Sequence, residues 1–106
     1  MKELVEGHLY ELDMFEDTND DTGNQRIQFI QKVPIGTEGE LQTVANGTTN
    51  EEVIEMLLHR LNYLQAKFPC RENALAITNL EQALLWLNRR TELRKRKGVE
   101  GKQLKH

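Results

Sequence analysis

Between Ala76 and Leu87 apolar residues return every three or four positions, at Ala76, Leu80, Ala83 and Leu87, and Ile77 and Leu84 widen the stripe. That period predicts an α-helix with one buried face. Carried onward, the same spacing reaches Arg90 and then Arg94. A face that buries leucine for three turns therefore ends in two guanidiniums one turn apart. Upstream, Val53, Leu57, Leu61, Leu64 and Phe68 mark a second helical face, from about Asn50 to Lys67. Thr49 followed by Glu52 is a capping-box pattern that opens this helix. Pro69 breaks the run and the next helix restarts at Cys70 to Glu72, so the tight joint predicts an antiparallel helical hairpin. Tyr63 lies off the stripe of its helix, on the flank shared with Met56 and His59. An aromatic so placed is an interface residue, a stacking platform or a core margin, and spacing does not choose among them.

The first half of the chain carries a different period. From His8 to Phe15 the residues alternate, with His8, Tyr10, Leu12 and Met14 on one side, the pattern of a strand with one apolar face. Ile27, Phe29 and Val33 predict a second strand over QRIQFIQKV, ended by Pro34 and Gly36, and Leu41 to Ala45 a third before Asn46-Gly47. The segment DTNDDTGN at 17–24 matches a calcium loop in the alternation of Asp17, Asn19 and Asp21. Its glycine falls one place late at Gly23, however, and Gln28 stands where a bidentate glutamate is required, so the segment reads as a solvated hairpin loop.

These elements give an α+β fold, a small N-terminal antiparallel β-sheet followed by a C-terminal antiparallel two-helix hairpin, oligomerising through the helices. One domain is expected over 1–106, with the sheet part at 1–48, the hairpin at 49–101 and a tail at 102–106. A chain of 106 residues buries a modest share of its surface, so oligomerisation would supply missing burial. The net charge of -3 argues against a general nucleic-acid binder but hides an asymmetry. Eight carboxylates fall in the first 22 residues, and eight of the 14 Lys and Arg lie between Arg89 and His106. Such a charge dipole steers an anion to one end or draws two copies together. With one cysteine, no signal-peptide core and no apolar run long enough to span a membrane, the chain is expected in the cytoplasm.

Catalytic chemistry finds little to work with. His8, His59 and His106 show no metal-ligand spacing, the chain contains no serine, and no glycine-rich phosphate loop is present. Cys70 has no histidine near it in sequence and reads as a helix-start residue. The expectation is a protein that is not an enzyme and uses no metal or cofactor. Between Arg89 and Lys97 six of nine residues are basic. Cations at a helix C-terminus are favoured by the helix dipole, which makes a solvated helix end one reading. Arg90 and Arg94 continue an apolar face, and a guanidinium fork matches phosphate oxygens two at a time, which makes a phosphate-bearing ligand the other. Gly98 would end the helix and let the chain fold back over this site.

The run CRENALAIT..LEQALLWL..RT..R..RKGVEG, with the upstream NG.TNEEV and RL..LQ, resembles the Thoeris anti-defence sponge family of bacteriophages. The hairpin is also similar to that of the phage anti-CBASS cyclic-nucleotide sponge. The likeness is dense from Ile27 to Gly101 and weak before it, and the chain departs from the family in the acidic loop 17–24 and the turn 34–40. The resemblance implies a non-catalytic protein that sequesters a cyclic ADP-ribose isomer, of the gcADPR type. It also implies homodimers, in some members hexamers, with pockets at the dimer interface and separate sites for cyclic trinucleotides in some hexamers. By motif position it implies base stacking at Tyr63, a polar base contact at Asn73, and phosphate and base-stacking arginines at Arg90 and Arg94. Phe68 and Arg71 at the bend, and Gly98 and Val99 in the fold-back, complete the candidate ligand set. No membrane and no nucleic-acid partner is expected. The alternative is a nucleic-acid-binding or regulatory module using the basic helix end, which predicts salt-dependent binding to DNA or RNA. A purely structural oligomeric hairpin predicts no ligand.

Overall fold

The computed structural model describes residues 1–16 and 24–97. Strands β1 (Lys2–Val5), β2 (Leu9–Leu12) and β3 (Gln25–Gln28) form an antiparallel sheet in that order, and β4 (Gln31–Ile35) pairs with β5 (Glu40–Ala45) as a separate hairpin. Helices α1 (Asn50–Lys67) and α2 (Arg71–Arg96) follow and pack on each other. The α+β expectation, a small antiparallel β-part and then a two-helix hairpin, is met. The acidic loop lies outside the described residues except for Asn24, whose amide reaches Glu11 at 3.3 Å.

The strands depart from the sequence expectation in three ways. The region 2–5 was not expected to pair at all, yet β1 joins β2 through a turn in which Gly7 takes φ 70° and the His8 N–H donates to the Val5 carbonyl at 3.0 Å. That left-handed φ is where glycine meets no Cβ penalty. Second, the expected continuous strand over 25–33 is two strands: the Phe29 N–H still donates to the His8 carbonyl across from β3, but the Gln28 carbonyl and the Ile30 N–H on either side of it bond to Thr48 instead. Third, Pro34 does not end a strand but sits inside β4 opposite Leu41. In a two-stranded ribbon both strands are edges, so a residue without an N–H is tolerated there.

Both helix starts follow their caps. The Thr49 hydroxyl accepts from the Glu52 N–H at 3.2 Å, and the Cys70 thiol accepts from the Asn73 N–H at 3.4 Å. Ala76, Ile77, Leu80, Ala83, Leu84 and Leu87 are all withdrawn from solvent, as their spacing requires. For α1 the expected face is only partly right: Val53, Leu61 and Leu64 turn inward, whereas Leu57 and Phe68 are exposed and Ile54 and Leu58 take the inner positions. Between the helices, the Gln65 side chain clamps the bend, donating to the Cys70 carbonyl at 3.1 Å and accepting from the Cys70 N–H at 3.0 Å. Two hydrogen bonds at a solvent-exposed joint contribute about 1 kcal/mol net. Gln65→Ala is therefore expected to lower the melting temperature by roughly 4–8 °C. An unchanged melting curve would mean that the clamp only decorates the joint.

The molecule is thin. Its principal extents are 51 × 35 × 14 Å, and a single helix with side chains is already about 10–12 Å across. Ile77, still 9% exposed, is the one buried hydrophobic residue among those described. Strands and helices do not run against one another along their backbones. Instead the two parts are joined at a seam: the Thr48 N–H donates to the Gln28 carbonyl at 2.8 Å, and the Ile30 N–H donates to the Thr48 carbonyl at 2.9 Å. Thr48 immediately precedes the α1 cap, so this seam sets where the open end of the hairpin meets the sheet.

Candidate functional site

At that meeting point lies a cleft of about 390 Å³. Its helical wall carries Arg90, Thr91 and Arg94 of α2. Its floor is the seam and the first turn of α1, namely Thr48, Thr49, Asn50 and Glu51. Its second wall comes from the sheet part: Gly7, His8, Tyr10, Phe29 and Ile30. The volume falls within the roughly 300–1,000 Å³ usual for small-molecule sites.

Arg90 is exposed and Arg94 half-buried, one turn apart on the side of α2 that borders its apolar stripe. Neighbouring charges are organised as well, since Arg96 donates to Glu92 at 2.6 Å. Because both members of that pair are more than half exposed, it adds little to the stability of the helix. The Glu51 carboxylate tempers the positive wall, while the N–H groups of the first α1 turn point out of the helix start. Such a cleft presents two guanidinium forks to an anion and flat aromatic surface to a ring. Among the described residues no group of three His, Cys, Asp or Glu is placed to hold a metal ion, and no helix is long and apolar enough to cross a membrane.

The other candidate ligand residues sit at the opposite end of the hairpin. Tyr63, Phe68, Arg71 and Asn73 surround the bend, and 17 positions of α2 at about 1.5 Å each put Asn73 roughly 25 Å from Arg90. Within one chain, then, Arg90 and Arg94 come together and the bend group forms a separate cluster. Tyr63 is 54% exposed, with the Lys67 ammonium 5.0 Å from its ring centroid, so one face is already engaged. Phe68 is 74% exposed. Asn73 is half-buried at the start of α2, its backbone N–H taken by Cys70. Gly98 and Val99 lie outside the described residues.

Sequence reading missed the sheet wall. His8, Tyr10 and Phe29 were legible only as strand residues, though their alternation did place His8 and Tyr10 on one face. It also missed a second surface, where Trp86 is 68% and Leu85 67% exposed beside Asn88, Arg89 and Glu92. Leu75, Met56 and Tyr63 are likewise exposed. Trp86 lies eleven residues, three helical turns, beyond Leu75, so the two share a stripe that faces away from α1.

Comparison with known proteins agrees with this architecture. A protein of Bacillus phage SBSphiJ7 named Thoeris anti-defense 1 is 59% identical over 58 residues, which is 54% of this chain and 41% of that protein. The matched stretch thus spans less than half of the relative's length. A family model described as Acb2/Tad1, hairpin domain, matches residues 25–92, from the start of β3 to within α2, and includes Arg90, the seam at Thr48 and the whole bend. Because that match covers well over half of the chain and both helix caps, the chain belongs to the Acb2/Tad1 hairpin-domain family.

Proposed function

We propose that this protein is a phage anti-defence sponge, which binds a cyclic ADP-ribose isomer of the gcADPR type and withholds it from the host's Thoeris effector without cleaving it. The observation that carries the reading is the pair Arg90 and Arg94, one turn apart on the wall of a cleft of about 390 Å³. A diphosphate suits two guanidinium forks, and a purine suits an aromatic or guanidinium face. The relative's name, Thoeris anti-defense 1, supplies the biological setting. Binding rather than turnover is the role these groups fit. Arginine forks and aromatic rings hold a ligand, and sequestration needs no group to activate water.

Capture must outcompete the natural receptor, which sets the affinity near nanomolar, about -12 kcal/mol. A cleft open on one side of a 14 Å slab does not enclose a ligand that well. We therefore assign the exposed stripe of Leu75 and Trp86 to a homodimer through the helices, which adds the second layer that most domains possess. In an antiparallel pair, the bend of one copy would approach the Arg90 and Arg94 end of the other. Tyr63, Phe68, Arg71 and Asn73 would then act on the same ligand from the partner. Hexamers and additional sites for cyclic oligonucleotides belong to the same proposal, as extensions of the pairing.

The direct test incubates the purified protein with glyco-cyclic ADP-ribose, removes the protein by filtration and measures the ligand left in solution. Depletion, followed by recovery of the unchanged compound after heat denaturation, is the expected result. Recovery of a hydrolysed product would make the protein an enzyme. Undiminished free ligand, with salt-sensitive binding to DNA or RNA, would shift the assignment to a nucleic-acid module.

A further inference from the structure

The cleft has two chemically different walls, the helical one with Arg90 and Arg94 and the sheet one with His8, Tyr10 and Phe29. The opposite wall is built by the register of β2 and β3. Tyr10 pairs with Ile27 in the ladder, and the Phe29 N–H donates to the His8 carbonyl at 2.7 Å, so His8, Tyr10 and Phe29 share one face of the sheet, with Tyr10 and Phe29 diagonal neighbours. Their rings meet edge to face, centroids 5.9 Å apart and planes at 82°. In that geometry each ring leaves at least one face uncovered by the other.

This wall is held firmly. Phe29 bridges to Thr48 at the seam, and the Gln28 side-chain amide donates to the Phe29 carbonyl at 2.7 Å. His8 Nδ1 lies 2.8 Å from the Glu6 carbonyl, which can only accept, so Nδ1 carries the proton. In the neutral imidazole Nε2 is then an acceptor, suited to an exocyclic amine or a ribose hydroxyl.

From this we infer that the sheet wall, Tyr10 with His8, reads the base or ribose of a ligand whose phosphates are held by Arg90 and Arg94, with Phe29 as the residue that positions Tyr10. The inference rests on the cleft being the ligand site and adds which part of the chain sets selectivity. Phosphate affinity comes from the helical hairpin. Discrimination between a nucleotide and a bare polyphosphate comes from the N-terminal strands, through an aromatic ring on the same chain as the arginines. Tyr63, about 20 Å along α1 from its start, can contribute only from a second copy.

The test measures binding of glyco-cyclic ADP-ribose by titration calorimetry and its displacement by inorganic pyrophosphate, for the full chain and for Tyr10→Leu, His8→Ala and Arg90→Ala. Leucine keeps the apolar packing against Phe29 but removes the flat ring. Tyr10→Leu is expected to weaken the nucleotide tenfold or more while the pyrophosphate competition constant stays within twofold, and His8→Ala to weaken the nucleotide several-fold. Arg90→Ala is expected to weaken both probes. If Tyr10→Leu and His8→Ala bind the nucleotide like the parent while Arg90→Ala loses it, the sheet wall has no reading role and the cleft assignment stands. If Tyr10→Leu weakens both probes alike, the ring merely shapes the cleft and the inference fails. Tyr10→Trp keeps a stacking face, so a loss of nucleotide affinity in that variant with retained pyrophosphate competition also counts against it. Failure of the parent protein to bind the nucleotide, or of pyrophosphate to compete, overturns the cleft assignment and the inference together.

Discussion

Arg90→Ala is expected to weaken capture of glyco-cyclic ADP-ribose at least tenfold, with fold and oligomeric state unchanged. The side chain is exposed on the cleft wall and has no ion-pair partner among the described residues, so its removal strands no buried charge. What it removes is a fork aimed at phosphate. One charge-assisted hydrogen bond is worth about 1.5–3 kcal/mol, and each 1.4 kcal/mol is a factor of ten in affinity. Alanine also has a better helix propensity than arginine, so α2 persists. Titration calorimetry gives the affinity, and size-exclusion chromatography with light scattering gives the oligomer. Parent-like affinity in the variant would place the ligand away from the α2 end.

The second large effect concerns the seam. Gly47→Ala is expected to destabilise the protein by about 2–3 kcal/mol, the upper part of the range for forced overpacking, and to lower ligand affinity with it. A Cβ at Gly47 would lie 2.3 Å from the Gln28 carbonyl oxygen, 2.7 Å from the Phe29 carbonyl carbon and 2.8 Å from that of Gln28. All three are backbone atoms, so no flexible side chain can swing away. The chain must shift, and the Thr48 bonds to Gln28 and Ile30 are what it would shift. Those bonds set the distance between the sheet wall and the arginines. For a domain of this size the loss corresponds to roughly 10–20 °C in melting temperature, measurable by circular dichroism. A variant melting within about 2 °C of the parent would show that the seam adapts to a methyl group at no cost.

The two predictions test different layers of one site. Arg90 supplies binding chemistry, whereas Gly47 supplies the close backbone approach that lets helix and sheet share a cleft. Thr48 is short of the hairpin and outside the sheet, yet both halves are hung on it. The asymmetry of charge along the chain has a place in this picture as well, since the basic end of α2 forms one wall of the cleft.

Residues that speak for themselves were read correctly. Thr49, Cys70 and Pro69 mark helix ends through bonds or breaks within four residues, and the observed helices begin and end where those signals lie. The α2 stripe was legible because its apolar residues keep one helical period, although Leu75, Leu85 and Trp86 stand exposed outside it. On α1 apolar residues occur all round, at Val53, Ile54, Met56, Leu57, Leu58, Leu61, Tyr63 and Leu64, so period alone did not separate the inner face from the outer. The region Lys2–Val5 escaped because its two apolar residues, Leu4 and Val5, are adjacent and flanked by Glu3 and Glu6, so no alternation marks a strand. The interruption at Phe29 and Ile30 has no local cause, as the residues themselves favour a strand.

The same division runs through the site. Two arginines one turn apart at the end of a leucine face are a property of helical spacing, which any stretch of ten residues displays. That they face Tyr10 and His8, some eighty positions earlier, follows from one parallel bridge between Phe29 and Thr48. Hydrogen bonds of that kind join segments whose sequences carry no mark of each other, because backbone donors and acceptors are the same at every residue. Caps, periods and charges are therefore written along the chain, and the cleft exists only once the chain has folded back on itself.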